Sequence, residues 1–180
     1  FLRRIDASGM KWVIVTDLAG EPVFVLDAHH FLRDALFNQL ESDPTAYWHR
    51  PIIVRDAKAR LGECPVWSPE EQALYWVDIL APALHRHEPA TGASWSWPMP
   101  SAIGSFGLDR RGGAVVALRH GFHRLDLASG ELPLLVHPEP DRPGNRLNDG
   151  KVAPDGSFWA GTMDEETMSK RTGSLYRVAP

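Results

Sequence analysis

Between Arg146 and Glu166 the chain carries two polar clusters that could handle a polyhydroxylated ligand. The first is Arg146, Asn148, Asp149 and Lys151; the second is Asp164, Glu165 and Glu166. Arg and Asn present fixed N–H donors to hydroxyl and carbonyl oxygens. Carboxylates accept from hydroxyls or hold a hard cation. Between the clusters, Pro154-Asp155-Gly156 is a turn signal and Ser157-Phe158-Trp159-Ala160 reads as a strand. Such a strand spans roughly 15–20 Å, so the chain must bend, or a sheet must curve, before both clusters line one cavity. Taken singly, the same residues are equally the polar groups of a solvated loop.

A third candidate lies upstream, in Leu61-Gly62-Glu63-Cys64-Pro65-Val66-Trp67. Glu63 sits between a Gly and a Cys-Pro turn, where the backbone is constrained. It could ligate a hard cation, or it could be an ordinary solvated carboxylate.

The elements that must position these residues are short strands separated by turns, and they repeat. Ser68-Pro69-Glu70-Glu71-Gln72 leads into Ala73–Asp78, Asp109-Arg110-Arg111-Gly112-Gly113 into Ala114–Leu118, and Pro154-Asp155-Gly156 into Ser157–Gly161. From Leu74 to Val115 to Phe158 the period is about 40–45 residues, in the range of propeller blades. A second strand echoes it: Leu84-His85-Arg86 before Thr91-Gly92, Phe122-His123-Arg124 before Ser129-Gly130, then Leu175-Tyr176-Arg177. The expected fold of residues 57–180 is therefore mainly β, part of a β-propeller of about three blades. Alternate side chains of the repeated strands, Trp159 among them, are expected between neighbouring sheets. Three blades cannot close a ring, so the sequence reads as a portion of a propeller, truncated after Pro180.

Residues 1–56 have another pattern, a small α+β segment. Lys11–Thr16 and Val23–Leu26 read as paired strands around the turn Asp17–Pro22. Asp27 could cap a helix from about Ala28 to Leu40, with Phe31, Ala35, Leu36 and Leu40 on one face and Asp43-Pro44 as its stop. His29 and His30 are adjacent, so they diverge on a helix and read as surface histidines. This pattern, continued through His49–Asp56, resembles the later part of one cystathionine-β-synthase (CBS) domain and the opening of the next. The resemblance implies an adenine-nucleotide regulatory module, and it designates no ligand residue.

Composition narrows the classes. Of 180 residues, 43% are hydrophobic and 23% charged, as in ordinary globular proteins. The net charge of -4 gives no basis for nucleic-acid binding. No apolar run approaches about 18 residues, and no signal-peptide core follows Phe1-Leu2-Arg3-Arg4. The one cysteine, Cys64, leaves no disulfide within the chain and no thiolate zinc cluster, which suits a cytoplasmic setting.

Together, the Gly62–Trp67 motif, Leu74-Tyr75-Trp76-Val77-Asp78-Ile79, Arg146-Leu147-Asn148-Asp149-Gly150-Lys151 and Ala160-Gly161-Thr162-Met163-Asp164-Glu165-Glu166 resemble the senescence marker protein/regucalcin/gluconolactonase family. That resemblance implies a six-bladed propeller that binds one divalent cation (Ca, Zn, Mn or Mg) and hydrolyses a sugar lactone. It gives Glu63 to the metal, and Arg146, Asn148 and Glu166 to the substrate. By the same likeness the remaining metal ligands and the presumed catalytic base lie beyond Pro180, so no catalytic residue is designated within the chain. The alternative is a CBS-like regulatory nucleotide-binding module fused to a non-catalytic propeller portion.

Overall fold

The computed structural model describes residues 12–28, 30–31, 33, 44–51, 54 and 57–179. The chain divides into two compact units, residues 1–54 and 55–180.

In the first unit, β1 (Trp12–Thr16) and β2 (Pro22–Asp27) form the expected antiparallel pair. The Asp17 carboxylate closes the turn by accepting the backbone N–H groups of Ala19 and Glu21, at 2.9 and 3.0 Å. A short 3-10 turn, Pro44–Tyr47, leads into β3 (Trp48–His49), which adds to the free edge of β2. Leu26, Ala28 and Phe31 form a small core covered by Tyr47 and Trp48. Ala28, His30, Phe31 and Arg33 are helical; the rest of the expected helix to Leu40, and His29, lie outside the described residues.

The second unit is a series of antiparallel sheets, each laid down in sequence order. The first holds β4 (Gly62–Ser68), β5 (Ala73–Asp78), β6 (Ala83–His87) and β7 (Ser94–Pro98). The second holds β8 (Ile103–Asp109), β9 (Gly113–Leu118), β10 (Gly121–Asp126) and β11 (Leu134–Val136). The third holds β12 (Asn145–Val152), β13 (Phe158–Asp164) and β14 (Leu175–Val178). The repeated sequence stretches are the second strands, β5, β9 and β13, and the echoes are the third strands, β6, β10 and β14.

One device recurs with the repeat. The arginine of each third strand bonds an acid in or beside the first hairpin turn of its own sheet, each at 3.0 Å: Arg86 to Glu71, Arg124 to Asp109, Arg177 to Asp155. These pairs, from part-buried at Arg124–Asp109 to exposed at Arg177–Asp155, tie each third strand to its hairpin turn.

Period-two alternation lets the middle sheet face both neighbours. Ala114, Val116 and Leu118 of β9 join Tyr75, Val77, Leu84, Ile103, Phe106 and Leu125 in the core shared with the first sheet. Val115 and Ala117 turn the other way and pack with Phe122, Leu147, Phe158 and Ala160 against the third sheet. The same alternation corrects one expectation. Phe158 and Ala160 enter the inter-sheet core, which puts Trp159 on the opposite face, 38% exposed.

Candidate functional site

All three first strands are bulged. The register slips between Glu63 and Val66 in β4, between Ile103 and Ser105 in β8, and between Leu147 and Gly150 in β12. A bulge bends the strand and re-aims side chains. Here it does so at Cys64-Pro65, just after Glu63, at Gly104 and at Asn148-Asp149. In β4 the irregularity carries Cys64 at φ 52°, a left-handed conformation uncommon outside glycine.

The bulges also bring main chains into contact. A Cβ on Gly104 would stand 2.5 Å from both Cα and O of Asn148, and one on Gly150 would stand 2.6 Å from the Trp159 carbonyl oxygen. Only glycine permits this approach. The fully buried Ser105 then donates its hydroxyl to the Asn148 carbonyl at 2.7 Å, tying β8 to β12. The Cys64 Sγ lies 3.9 Å from the Gly150 carbonyl oxygen, so β4 reaches β12 as well. Burial raises the Cys64 thiol pKa; the Phe106 backbone N–H opposes this, and the nearby Asp149 carboxylate adds to it.

Arg146 and Asn148 come together. The Arg146 Nη1 donates to Asn148 Oδ1 at 2.7 Å and to the Leu147 carbonyl at 3.0 Å. Arg146 is buried, and its Nε stands 3.6 Å from Glu165 Oε1. Burial pulls its pKa below the ordinary arginine value; Glu165 opposes that shift and Arg119 adds to it. The Glu165 Oε2 pairs with the guanidinium of Arg119, from the β9–β10 turn. Two arginines from different sheets thus share one carboxylate.

The antiparallel β12–β13 pairing explains how the two polar clusters meet. Asn145 stands opposite Asp164 and Arg146 opposite Met163, because the chain reverses at the turn 153–157. Sequence order alone made Arg146–Lys151 look like a flank of a strand; it is the strand.

The other expected site residues are placed differently. Glu166 is exposed, pairs with Lys170 at 3.1 Å and lies against Gly144, so the carboxylate beside Arg146 is its neighbour Glu165. Asp164 is buried and structural: it accepts from Thr167 and from the backbone N–H groups of Ser169 and Lys170, and these bonds, Thr167 foremost, hold its pKa at about 2. Glu63 is exposed on β4 beside Cys64. Among the described residues no hydrogen bond or ion pair joins Glu63 or Glu166 to Arg146 or Asn148. Nor do the described residues include any group of three or more His, Cys, Asp or Glu able to hold a metal ion. They do not complete a cation site by themselves.

Sequence reasoning passed over Glu139 and Arg119. Glu139 is 5% exposed and accepts hydrogen bonds from Asn145 (2.8 Å), Thr162 (3.0 Å) and Tyr176 (2.9 Å), pinning the residue before Arg146 to β13 and β14. Nothing local in a Pro-rich stretch announces this. Arg119 had a signal: it directly follows β9, as Glu165 directly follows β13, so the repeat puts both at one level.

With this geometry in place, a family model described as the SMP-30/Gluconolactonase/LRE-like region matches residues 61–180. The chain belongs to that family. Among curated relatives of this SMP-30/gluconolactonase-type chain, a 6-deoxy-6-sulfogluconolactonase of Pseudomonas putida is 47% identical over 119 residues, covering 66% of this chain and 40% of the relative. Regucalcin of Xenopus laevis is 37% identical over 125 residues, covering 67% of this chain and 42% of the relative. Among solved structures, a calcium-binding protein, regucalcin, from Agrobacterium tumefaciens matches with a TM-score of 0.65 at 31% identity, over 71% of this chain and 43% of that one. The chain spans about two-fifths of the length of the curated relatives it matches. The family match begins at residue 61, so it does not bear on the CBS likeness of residues 1–56.

Proposed function

We propose that this chain is part of a hydrolase that opens sugar lactones. The observation that carries the reading is the Arg146–Asn148 couple, held rigidly in the β12 bulge of a chain of this family. Asn148 Oδ1 is occupied by Arg146, which orients the amide and leaves its Nδ2 as a donor. Two donors set by a buried guanidinium and a strand bulge suit the ring and hydroxyl oxygens of a lactone. Relatives named for gluconolactone and for its 6-deoxy-6-sulfo form support that substrate class.

In the architecture that this reading implies, the three sheets are consecutive blades of a six-bladed propeller, with β4, β8 and β12 innermost. The bulged ends then face the axis, and Glu63 contributes one ligand to a divalent cation, which would polarise the lactone carbonyl. The remaining ligands would come from outside the described residues. That the regucalcin of Agrobacterium tumefaciens is a calcium-binding protein supports a cation here, and leaves the choice of cation open. The adenine-nucleotide reading of residues 1–56 gains no support from these matches.

The test is lactone binding and ring opening. Incubate the protein with glucono-δ-lactone, with and without added Ca²⁺, Mn²⁺ or Zn²⁺, and follow acid release. Arg146→Ala and Asn148→Ala should each weaken lactone binding by about tenfold or more, the loss of a charge-assisted or well-fixed hydrogen bond. Lactone that neither binds nor opens faster than in buffer would sink the proposal.

A further inference from the structure

Arg119 is a charged group near Arg146 that a neutral lactone does not require. It comes from the β9–β10 turn of the middle sheet, yet its guanidinium reaches across to Glu165 at the end of β13. Arg146 addresses the other oxygen of the same carboxylate. Two guanidinium groups face one carboxylate, Arg119 paired with it directly and Arg146 at ion-pair distance through Nε while its Nη1 holds Asn148, and such a pair of cations suits an oxyanion. The group of three carries two positive charges against one negative. Its charged neighbours are compensated separately: Glu139 lies 3.6 Å from Arg142 and is held by its own hydrogen bonds, and Glu166 is paired with Lys170. Arg119 and Arg146 line the same small cleft, about 10 Å³, which is room for no more than a water, so a ligand's anionic end would rest at its mouth. The side chains differ in freedom there. Arg146 is 10% exposed and fixed, whereas Arg119 is 43% exposed and able to turn toward a ligand.

We propose that Arg119, shared with Arg146 through Glu165, is a specificity residue that selects sugar lactones bearing an anionic substituent, a sulfonate or a carboxylate, over neutral ones. The inference rests on the lactone reading above and adds the substrate class and the residue that reads it.

The experiment compares three probes on the same protein: glucono-δ-lactone, the same lactone with a sulfonate at C6, and one with a carboxylate at C6. The readout is the ratio of kcat/KM for each anionic lactone to that for the neutral one. The ratio should exceed one for at least one anion and should fall with added salt. Arg119→Gln should lower it about tenfold, the weight of one charge-assisted hydrogen bond. Glu165→Gln should raise it, because it removes the competing carboxylate. Arg110→Gln, the same charge change on the exposed β8–β9 turn, should leave it alone. Which anion is preferred identifies the substituent. A wild-type protein that opens the neutral lactone and shows no anionic preference overturns this inference and leaves the lactone reading standing. So does an Arg119→Gln variant that slows all three probes alike, since Arg119 would then be only a tie between sheets. A protein that acts on none of the three overturns both.

Discussion

The two interfaces between neighbouring sheets are built on different terms. Between the first and second sheets, Tyr75, Val77, Leu84, Ile103, Phe106, Val116 and Leu118 fill the gap with large apolar side chains. Between the second and third, the apolar part is smaller, built on Ala117, Phe122, Leu147, Phe158 and Ala160. At its bulged end side-chain volume gives way to main-chain contact at Gly104, to the Ser105 hydroxyl, which bonds the Asn148 carbonyl and fills the space beside Gly150, and to the charges of Arg119, Glu165 and Arg146. Apolar filling stabilises without aiming anything, because dispersion and burial are non-directional. Close backbone approach and hydrogen bonds fix direction, and the candidate site occurs where they replace bulk.

The largest effect should come from the apolar interface. Phe106→Ala should cost about 3–5 kcal/mol in urea denaturation, the usual loss for a buried aromatic. A cost below about 1 kcal/mol would show that the first interface is less tightly filled than its burial indicates.

Gly104→Ala probes the other interface. Its new Cβ meets backbone atoms, which cannot swing aside as a side chain can. Stability should fall by about 1–3 kcal/mol, as for an overpacked core, and lactone binding should fall with it because Asn148 is displaced. Loss of stability with binding intact would separate the bulge from the site.

Glu139→Gln should cost about 1–3 kcal/mol, since one buried and two part-buried donors lose a charged acceptor. The pH dependence has a definite sign. Burial pushes the Glu139 pKa up, but hydrogen bonds led by that from Asn145 outweigh it and hold the carboxyl below the ordinary glutamate range. Its contribution is therefore complete above that range and disappears as pH falls through the depressed native value. Asp155, held at about 2 chiefly by Ser157, and Asp164, held at about 2 chiefly by Thr167, follow the same direction. Acid unfolding followed by tryptophan fluorescence should be shallower in the Glu139→Gln variant. An identical acid profile would mean that Glu139 keeps its ordinary pKa.

The smallest effect sharpens the comparison within one strand. Trp159→Ala should cost no more than about 1 kcal/mol, as at a surface position, whereas Phe158→Ala, one residue away and 3% exposed, should cost about 3–5 kcal/mol. Equal losses from the two would mean that both faces of β13 are covered.

Much of this was legible in the sequence, because periodicity and turn chemistry are local. The three repeated strands, their echoes, the turns at Asp17–Gly20 and 154–156, and the resemblance carried by Gly62–Trp67 and Arg146–Lys151 all follow from residue types at short range. Adjacency across sheets was not legible. Arg119 and Glu165 are separated by 46 residues in the chain and meet only because the β9–β10 turn and the end of β13 stand side by side. The choice of Phe158 over Trp159 in the core turned on a single residue of phase, and that of Glu165 over Glu166 beside Arg146 on the turn that follows β13. In a strand one residue moves a side chain to the opposite face, and a bulge shifts that phase again. Only the packed sheets decide it, because the phase is set by which neighbouring strand each residue faces.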